Sequence, residues 1–247
     1  MKTAPPDLSN LFRRWFRFCL FFPLAIGPST AVAGDRPGAL QLQIAQKATR
    51  FLPQSLRDLL HRHQESLERG INSLAMDPFL SPSARVSLEG RLLERIKLTV
   101  RSLESRPRFD GIASDLGAIA SMVLYLNLPE GEQLAEEDFR LILDYGAQHT
   151  DSFPLVVYDR IDRNGAPNSW VELVKLIHDR RAGLSARFLM LRTQIASEDS
   201  EGEISPRSPL FGIVSLLFSH SVNDLARIWC LVWKTANGDM AGIPAIP

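Results

Sequence analysis

Apolar residues recur every three or four positions along most of the chain, which places them on one face of an α-helix. The strict alternation of a β-strand is nearly absent. The apolar spacing and the Pro and Gly stops between segments predict seven helices. They cover residues 40–51, 53–70, 83–104, 110–127, 134–148, 168–196 and 209–236. The pattern therefore predicts an all-α fold.

The predicted helix at 110–127 is apolar on nearly every side, which is typical of a helix surrounded by others. We expect it at the centre of a single multi-helix domain. The strand-like run 153–158 is interpreted as a short helix or an extended connector. Gly70 is expected to end the second helix. Residues 197–208 are polar and predict a loop, and the tail after Asn237–Gly238 is expected to be loose.

The first 33 residues have the three-part pattern of a secretory signal peptide. Four basic residues come first: Lys2, Arg13, Arg14 and Arg17. An apolar run at 18–27 follows, and Ala31-Val32-Ala33 offers a cleavage site. Because a bilayer span needs about 20 apolar residues, this run is too short to be one. We expect 1–33 to be removed and 34–247 to be exported as one domain, periplasmic or secreted, without a transmembrane span. A retained N-terminal membrane anchor is the alternative.

Charge and cysteine content narrow the function classes. The 247 residues carry 28 basic and 28 acidic side chains. The predicted signal peptide removes four basic residues and one acidic residue, so the mature chain is mildly acidic. This balance gives no electrostatic basis for nucleic-acid binding. Cys230 is the only cysteine after residue 33, which excludes a disulfide framework, and we expect it to be buried.

The sequence contains no motif typical of a serine nucleophile, a phosphate-binding loop or a paired-cysteine metal site. The last predicted helix carries four polar residues at helical spacing on an otherwise apolar surface, and we call them the polar seam: His220, Asn223, Asp224 and Arg227. His220 and Asp224 can interact across one turn, as can Asn223 and Arg227. Either a ligand groove or a helix–helix network would produce this pattern. Residues 178–181 are interpreted as a solvated face.

Two stretches of the chain, taken in order, resemble the zinc-dependent phospholipase C family. Residues 41–48 and 51–56 are similar to its opening pattern of His-x-x-Ile-Ala-x-x-Ala followed by Leu-Pro-x-x-Leu, and Asp77-Pro78 comes later. Residues 116–129 are similar to its central helix, Leu-Gly-x-x-Ala-His-x-x-x-Asp. The resemblance covers about residues 38–150. It implies a phospholipase C-like helical bundle, in a superfamily that also contains zinc-dependent single-strand nucleases.

The departures from this family fall on its zinc ligands. Gln41 stands at the first His position, and Ser121 and Tyr125 stand at the central His and Asp positions. Asp77 alone keeps a ligand-type side chain. Zinc prefers thiolate, imidazole and carboxylate ligands, so the resemblance implies a scaffold without its metal or catalytic residues.

The resulting hypothesis is an exported binding or structural module, a pseudoenzyme without zinc-dependent catalysis and without a cofactor. Its partner would be an unknown protein or lipid rather than a nucleic acid. The alternative is an active zinc-dependent phosphodiester or phospholipid hydrolase, with ligands supplied by His61, His63, His149, His178 or His220.

Overall fold

The computed structural model describes residues 38–74, 82–105, 108–130, 134–157, 169–201 and 207–244. Within these ranges the chain forms eight α-helices and one short 3₁₀ helix, Thr150–Ser152, and it contains no β-strand. The α-helices are α1 (Ala39–Thr49), α2 (Gln54–Arg62), α3 (Gln64–Ser73), α4 (Pro82–Glu104), α5 (Phe109–Asn127), α6 (Glu136–His149), α7 (Trp170–Glu201) and α8 (Pro209–Thr235). The all-α prediction is confirmed. The predicted signal peptide lies outside the described residues.

Helix α5 lies at the centre of the bundle, as its composition predicts. It contacts α1, α3, α4, α7 and α8, and Ile119 and Val123 have no exposed surface. Among the described residues it is the one helix long and apolar enough to cross a membrane, but 72% of its most apolar window is buried inside the bundle. The high hydropathy is therefore that of a core helix.

Two glycines let α3 and α5 approach backbone to backbone. A Cβ on Gly117 would lie 2.1 Å from the carbonyl oxygen of Leu67, and a Cβ on Gly70 would lie 1.9 Å from that of Ser114. Real Cβ atoms do not come so close to backbone, so only glycine fits at either position. The prediction that Gly70 ends its helix is wrong, because α3 continues to Ser73. Gly70 instead allows α3 and α5 to cross in close contact.

The predicted helix at 53–70 is in fact two helices, which meet at His63. His63 leaves the helical conformation (φ −113°, ψ 31°) and lies between α2 and α3. Its ring contacts α5, since Nδ1 is 2.7 Å from Asp110 Oδ1 and the ring centroid is 5.3 Å from that of Phe109. Spacing along the chain could not predict this break, because the contact that accompanies it comes from another helix.

The end of α7 differs from the prediction, whereas the end of α8 agrees with it. Residues 197–201 were expected in a loop but belong to α7, because that stretch contains no glycine or proline to stop a helix. Ser208 caps the N-terminus of helix α8, and its side chain accepts a hydrogen bond from the Phe211 N–H at 2.9 Å. The helix ends where Asn237 adopts φ +57°, at the predicted stop.

The tail after α8 is held against α2 through Asp239 and Ala241, so the expectation of a loose tail is wrong for these residues. The Gln54 N–H, at the exposed start of α2, donates to the carbonyl oxygen of Ala241 at 3.0 Å. Ser55 Oγ donates to the Asp239 carbonyl at 2.9 Å. The tail therefore satisfies the Gln54 N–H, a donor that the first turn of a helix leaves without an intrahelical partner. Residues 153–157 form the expected extended connector, and Tyr158 lies outside the described residues.

The Gly117→Ala variant tests the α3–α5 crossing. The added methyl group must push two backbones apart, so we expect a loss of about 3 kcal/mol or more in the free energy of unfolding. Gly90→Ala is the matched control, because a Cβ on Gly90, in the exposed middle of α4, meets no heavy atom within 4 Å. That variant should gain about 0.5–1 kcal/mol. Denaturant unfolding of both variants measures the difference, and equal effects would contradict the proposed role of Gly117.

Candidate functional site

The polar seam lies on α8, where this helix faces α5 and α7. Asp224 has no exposed surface, and Asn223 is buried as well. His220 and Arg227 are half-buried. The four residues lie alongside a buried apolar stripe of the same helix, which includes Leu217 and Leu225. The helix that carries the seam is thus a core helix with polar groups at its contacts.

Asp224 is held by side chains from two other helices. One carboxylate oxygen accepts a short hydrogen bond from the guanidinium of Arg180 on α7. The other accepts from Asn127 Nδ2, on α5, at 3.1 Å. The same Asn127 amide also donates to the Val123 carbonyl at 3.1 Å. A buried carboxylate needs such partners, because burial without them costs several kcal/mol. Asp224 therefore joins three helices.

Asn223 fixes the connector that follows the 3₁₀ helix. Its Nδ2 donates to the Val156 carbonyl at 2.9 Å and to the Ser219 carbonyl at 2.7 Å. Ser219 Oγ in turn donates to the Pro154 carbonyl at 3.2 Å. These bonds give an irregular segment the hydrogen-bond partners that its own backbone does not supply.

His220 is held in one neutral tautomer. Arg180 Nη1 lies 3.3 Å from His220 Nδ1, and because a guanidinium can only donate, Nδ1 accepts and the proton resides on Nε2. Burial lowers the pKa of His220 below its ordinary value of 6.5, and the positive charge of Arg180 lowers it further. Asp224 opposes this shift, and Arg187 adds to it. The imidazole therefore stays uncharged near neutral pH.

Arg181 forms a second buried cluster one position along α7. Its side chain is only 2% exposed, and Nη2 lies 2.9 Å from Glu130 Oε2 and 3.7 Å from Glu89 Oε1. Nη1 donates to the Leu126 carbonyl at 3.3 Å, and Nη2 is 3.0 Å from His178 Nδ1. The interpretation of residues 178–181 as a solvated face is wrong for the arginines. It holds for His178 and Asp179, which are exposed.

The sequence contains a signal that Arg180 and Arg181 face the interior of the bundle. The buried apolar positions of α7 follow helical spacing before and after them: Leu173, Val174, Ile177, Leu184 and Phe188. Extending that stripe through the gap places Arg180 and Arg181 on the same buried face. A pair of adjacent arginines is usually read as surface, and that expectation outweighs the stripe when the sequence is read alone.

Three of the four positions aligned with zinc ligands lie in the described chain, and all three side chains are buried. Ser121 is buried against α3, and its Oγ donates to the Ile71 carbonyl at 2.8 Å. Gln41 and Tyr125 are buried as well, and neither is a usual zinc ligand. Asp77 lies outside the described residues. The glycine crossing of α3 and α5 adjoins Ser121, so this face is filled by backbone.

The histidines are distributed over several helices. His61 and His63 lie around the α2–α3 junction, His149 ends α6, and His178 and His220 belong to α7 and α8. No three His, Cys, Asp or Glu side chains of the described ranges are grouped so that they could hold a metal ion. Two grooves of about 250 and 440 Å³ open beside His61.

Comparison with known proteins gives no match to a protein-family model, a curated protein or a solved structure. The phospholipase C-like scaffold therefore stays a prediction from the residue pattern. What the described residues establish is a helical bundle in which the polar seam connects α5, α7 and α8.

Asp224→Asn tests whether the seam holds the helices together. The substitution removes the negative charge that faces Arg180 and leaves a guanidinium that is only 20% exposed without its counter-ion. We expect a loss of about 3 kcal/mol in the free energy of unfolding. The control is Glu136→Gln, which breaks the exposed pair with Arg140 and should cost about 0.5 kcal/mol or less. A loss no larger than the control's would contradict the assigned role.

The lowered pKa of His220 predicts a pH dependence of stability. Because the unfolded chain binds this proton more readily than the folded chain, acidification below about pH 6.5 should destabilise the protein. The slope for one proton is at most about 1.4 kcal/mol per pH unit. The difference in unfolding free energy between the wild type and His220→Gln isolates the effect from other groups. This difference in unfolding free energy should be constant above pH 7. At lower pH the variant should become more stable relative to the wild type.

Proposed function

We propose that this chain is an exported helical protein that acts as a binding or structural module on a phospholipase C-like scaffold, without zinc-dependent catalysis. The observation that carries the proposal is the environment of Ser121. At the position where the resembling family places a zinc ligand, the hydroxyl is buried and bonded to the Ile71 carbonyl. Zinc-dependent hydrolysis needs a held ion that activates water, and this position offers none.

The polar seam supports the same proposal. The carboxylate of Asp224 is bonded on both oxygens to other helices, so it is not available to abstract a proton from a substrate. Nδ1 of His220 accepts from Arg180, which occupies the lone pair that a general base at that atom would use. These are the bonds of a helix–helix network, the interpretation that the pattern of the seam left open.

We assign the proposed partner to a groove lined by α1, α2 and α3. A groove of about 250 Å³ is lined by Leu42, Leu60 and Leu67 together with polar side chains such as Arg57 and His61. An apolar floor with a few polar groups at its edge is typical of sites that take ligands or protein segments. The groove is the part of the described chain to which we assign the proposed protein or lipid partner.

Zinc content tests the proposal. The exported chain should be purified from the envelope or the medium, sequenced at its N-terminus and dialysed, and its zinc measured by elemental mass spectrometry. We expect a chain that begins at Gly34, carries far less than one zinc per molecule and does not hydrolyse a chromogenic phosphodiester with or without added zinc. The start is expected because of the predicted cleavage site. The lack of zinc and of hydrolysis is expected because of the residues at the ligand positions.

Two or three zinc ions per chain together with hydrolysis would establish the alternative, an active hydrolase whose ligands lie elsewhere. In that case His61→Asn and His63→Asn, beside the second groove, would show whether those histidines supply the ligands. An intact N-terminus on a membrane-bound chain would overturn the export part of the proposal alone, since it indicates a retained anchor.

A further inference from the structure

Arg57, on α2, is a half-buried arginine whose guanidinium has no ion pair or hydrogen bond within the described chain. Other buried or half-buried arginines lie against carboxylates. Examples are Arg95 with Asp115, Arg180 with Asp224, Arg181 with Glu130 and Arg192 with Asp138. Asp58 does not complete such a pair with Arg57, because consecutive residues of a helix do not face each other. The donors of Arg57 are therefore open to an anionic group from outside the chain.

Arg57 lines the groove of about 250 Å³ between α1, α2 and α3. His61 lines it too and follows Arg57 by four positions on α2, so the two side chains lie on one face of the helix. A guanidinium offers two parallel N–H groups to a carboxylate, and a neutral imidazole offers one further N–H. One anionic group can be bound by both side chains.

The rest of the groove is mainly apolar. Leu42 of α1, Leu60 of α2 and Leu67 of α3 line it. Pockets for drug-sized ligands typically measure about 300–1,000 Å³, and this groove is slightly smaller. It therefore suits one acyl chain of medium length rather than the two chains of a phospholipid. An apolar wall together with a pair of nitrogen donors matches an amphiphile with one chain and an anionic head.

Asp58 limits the charge that this head group can carry. It is exposed and also lines the groove, so it repels a head with more than a single negative charge. A phosphate monoester carries about 1.5 to 2 negative charges at pH 7, whereas an ionised carboxylic acid carries a single one. The charges around the groove therefore favour a carboxylate.

We propose that this groove binds a medium-chain fatty acid, with the carboxylate on Arg57 and His61 and the acyl chain along the three leucines. Burial of the chain supplies affinity in proportion to the apolar area that it covers. The charge of Arg57 selects an anionic head over a cationic one. The inference rests on the function proposed above, because it names the lipid that the binding module takes up.

Isothermal titration calorimetry of the exported chain with sodium decanoate, below the concentration at which decanoate forms micelles, tests the inference. We expect saturable binding of one decanoate per chain. Butyrate has the same head on a short chain, and decyltrimethylammonium has the same chain with a positive head. Each should bind at least about tenfold more weakly than decanoate. Absence of saturable decanoate binding, or equal affinity for the cationic amphiphile, would overturn the inference.

Two substitutions on α2 should change the affinity in opposite directions, which a loss of folding cannot do. Arg57→Gln should weaken decanoate binding about tenfold, because it removes the charged donors that hold the head group. Asp58→Asn should strengthen it about two- to threefold, because it removes an exposed, solvent-screened like charge. Arg101→Gln, at an exposed arginine of α4, is the matched control and should leave the affinity unchanged. If the Arg57 and Arg101 variants bind decanoate equally well, the groove is not the site and the inference fails.

The outcome for the fatty acid is separable from the outcome for the proposed function. Zinc content and phosphodiester hydrolysis report on catalysis, and decanoate affinity reports on the groove. A chain that holds no zinc and binds no decanoate would overturn the fatty acid alone and leave a protein segment as the partner. A chain that hydrolyses phosphodiesters with bound zinc, and still binds decanoate through Arg57, would overturn the lack of catalysis and support the fatty-acid site.

Discussion

Asp224, a carboxylate with no exposed surface, determines how α5, α7 and α8 meet. It lies on an apolar core helix, where its charge is tolerated only because Arg180 and Asn127 bond to it from two other helices. Removing water from such a group is costly unless every partner is in place. The arrangement around it therefore follows from one requirement. Asn127 must stand at the end of α5, Arg180 must face inward on α7, and the two helices must meet α8 at this level. The neutral His220 is a consequence, because the Arg180 guanidinium that serves Asp224 also donates to its ring.

The bundle combines this polar contact with a much denser apolar one. On one side of α5, Gly70 and Gly117 bring α3 within backbone contact, which excludes water and leaves no room for a side chain. Helix α7 meets the core through buried apolar side chains such as Phe188 and through buried charge, and Arg181 Nε has no hydrogen-bond partner in the described chain. Close packing resists small changes in geometry, whereas long charged side chains can rearrange. The neighbours of the central helix therefore differ in the kind of contact that holds them.

The sequence was sufficient to predict the helices and the central place of the helix at 110–127, because apolar periodicity reports directly on which face is buried. It also located the polar seam. It could not predict the break at His63, whose ring contacts come from Asp110 and Phe109 on another helix, nor the true role of Gly70, which depends on the backbone of α5. Arg181 was missed for a related reason. Its residue type favours the surface, and only the acids at Glu89 and Glu130, distant in the chain, make its burial affordable. Local patterns predict elements, while contacts between elements decide breaks and buried charges.

The same distinction applies to function. A residue pattern that resembles a zinc-dependent family concerns the scaffold, because the matching positions are mainly apolar and small residues that pack helices. Catalysis would depend on the few positions that differ, and a fold does not carry an activity when its site has changed. Ser121 illustrates the point: its hydroxyl now bonds the Ile71 carbonyl across the α3–α5 crossing, so a position that in the resembling family binds metal here takes part in helix packing. Asp224 and Arg180 are the opposite case. Their side chains are of a kind that can take part in catalysis, and here they join helices. Because both kinds of polar residue are engaged inside the bundle, the proposal of a binding module rests on surface features such as the groove beside His61.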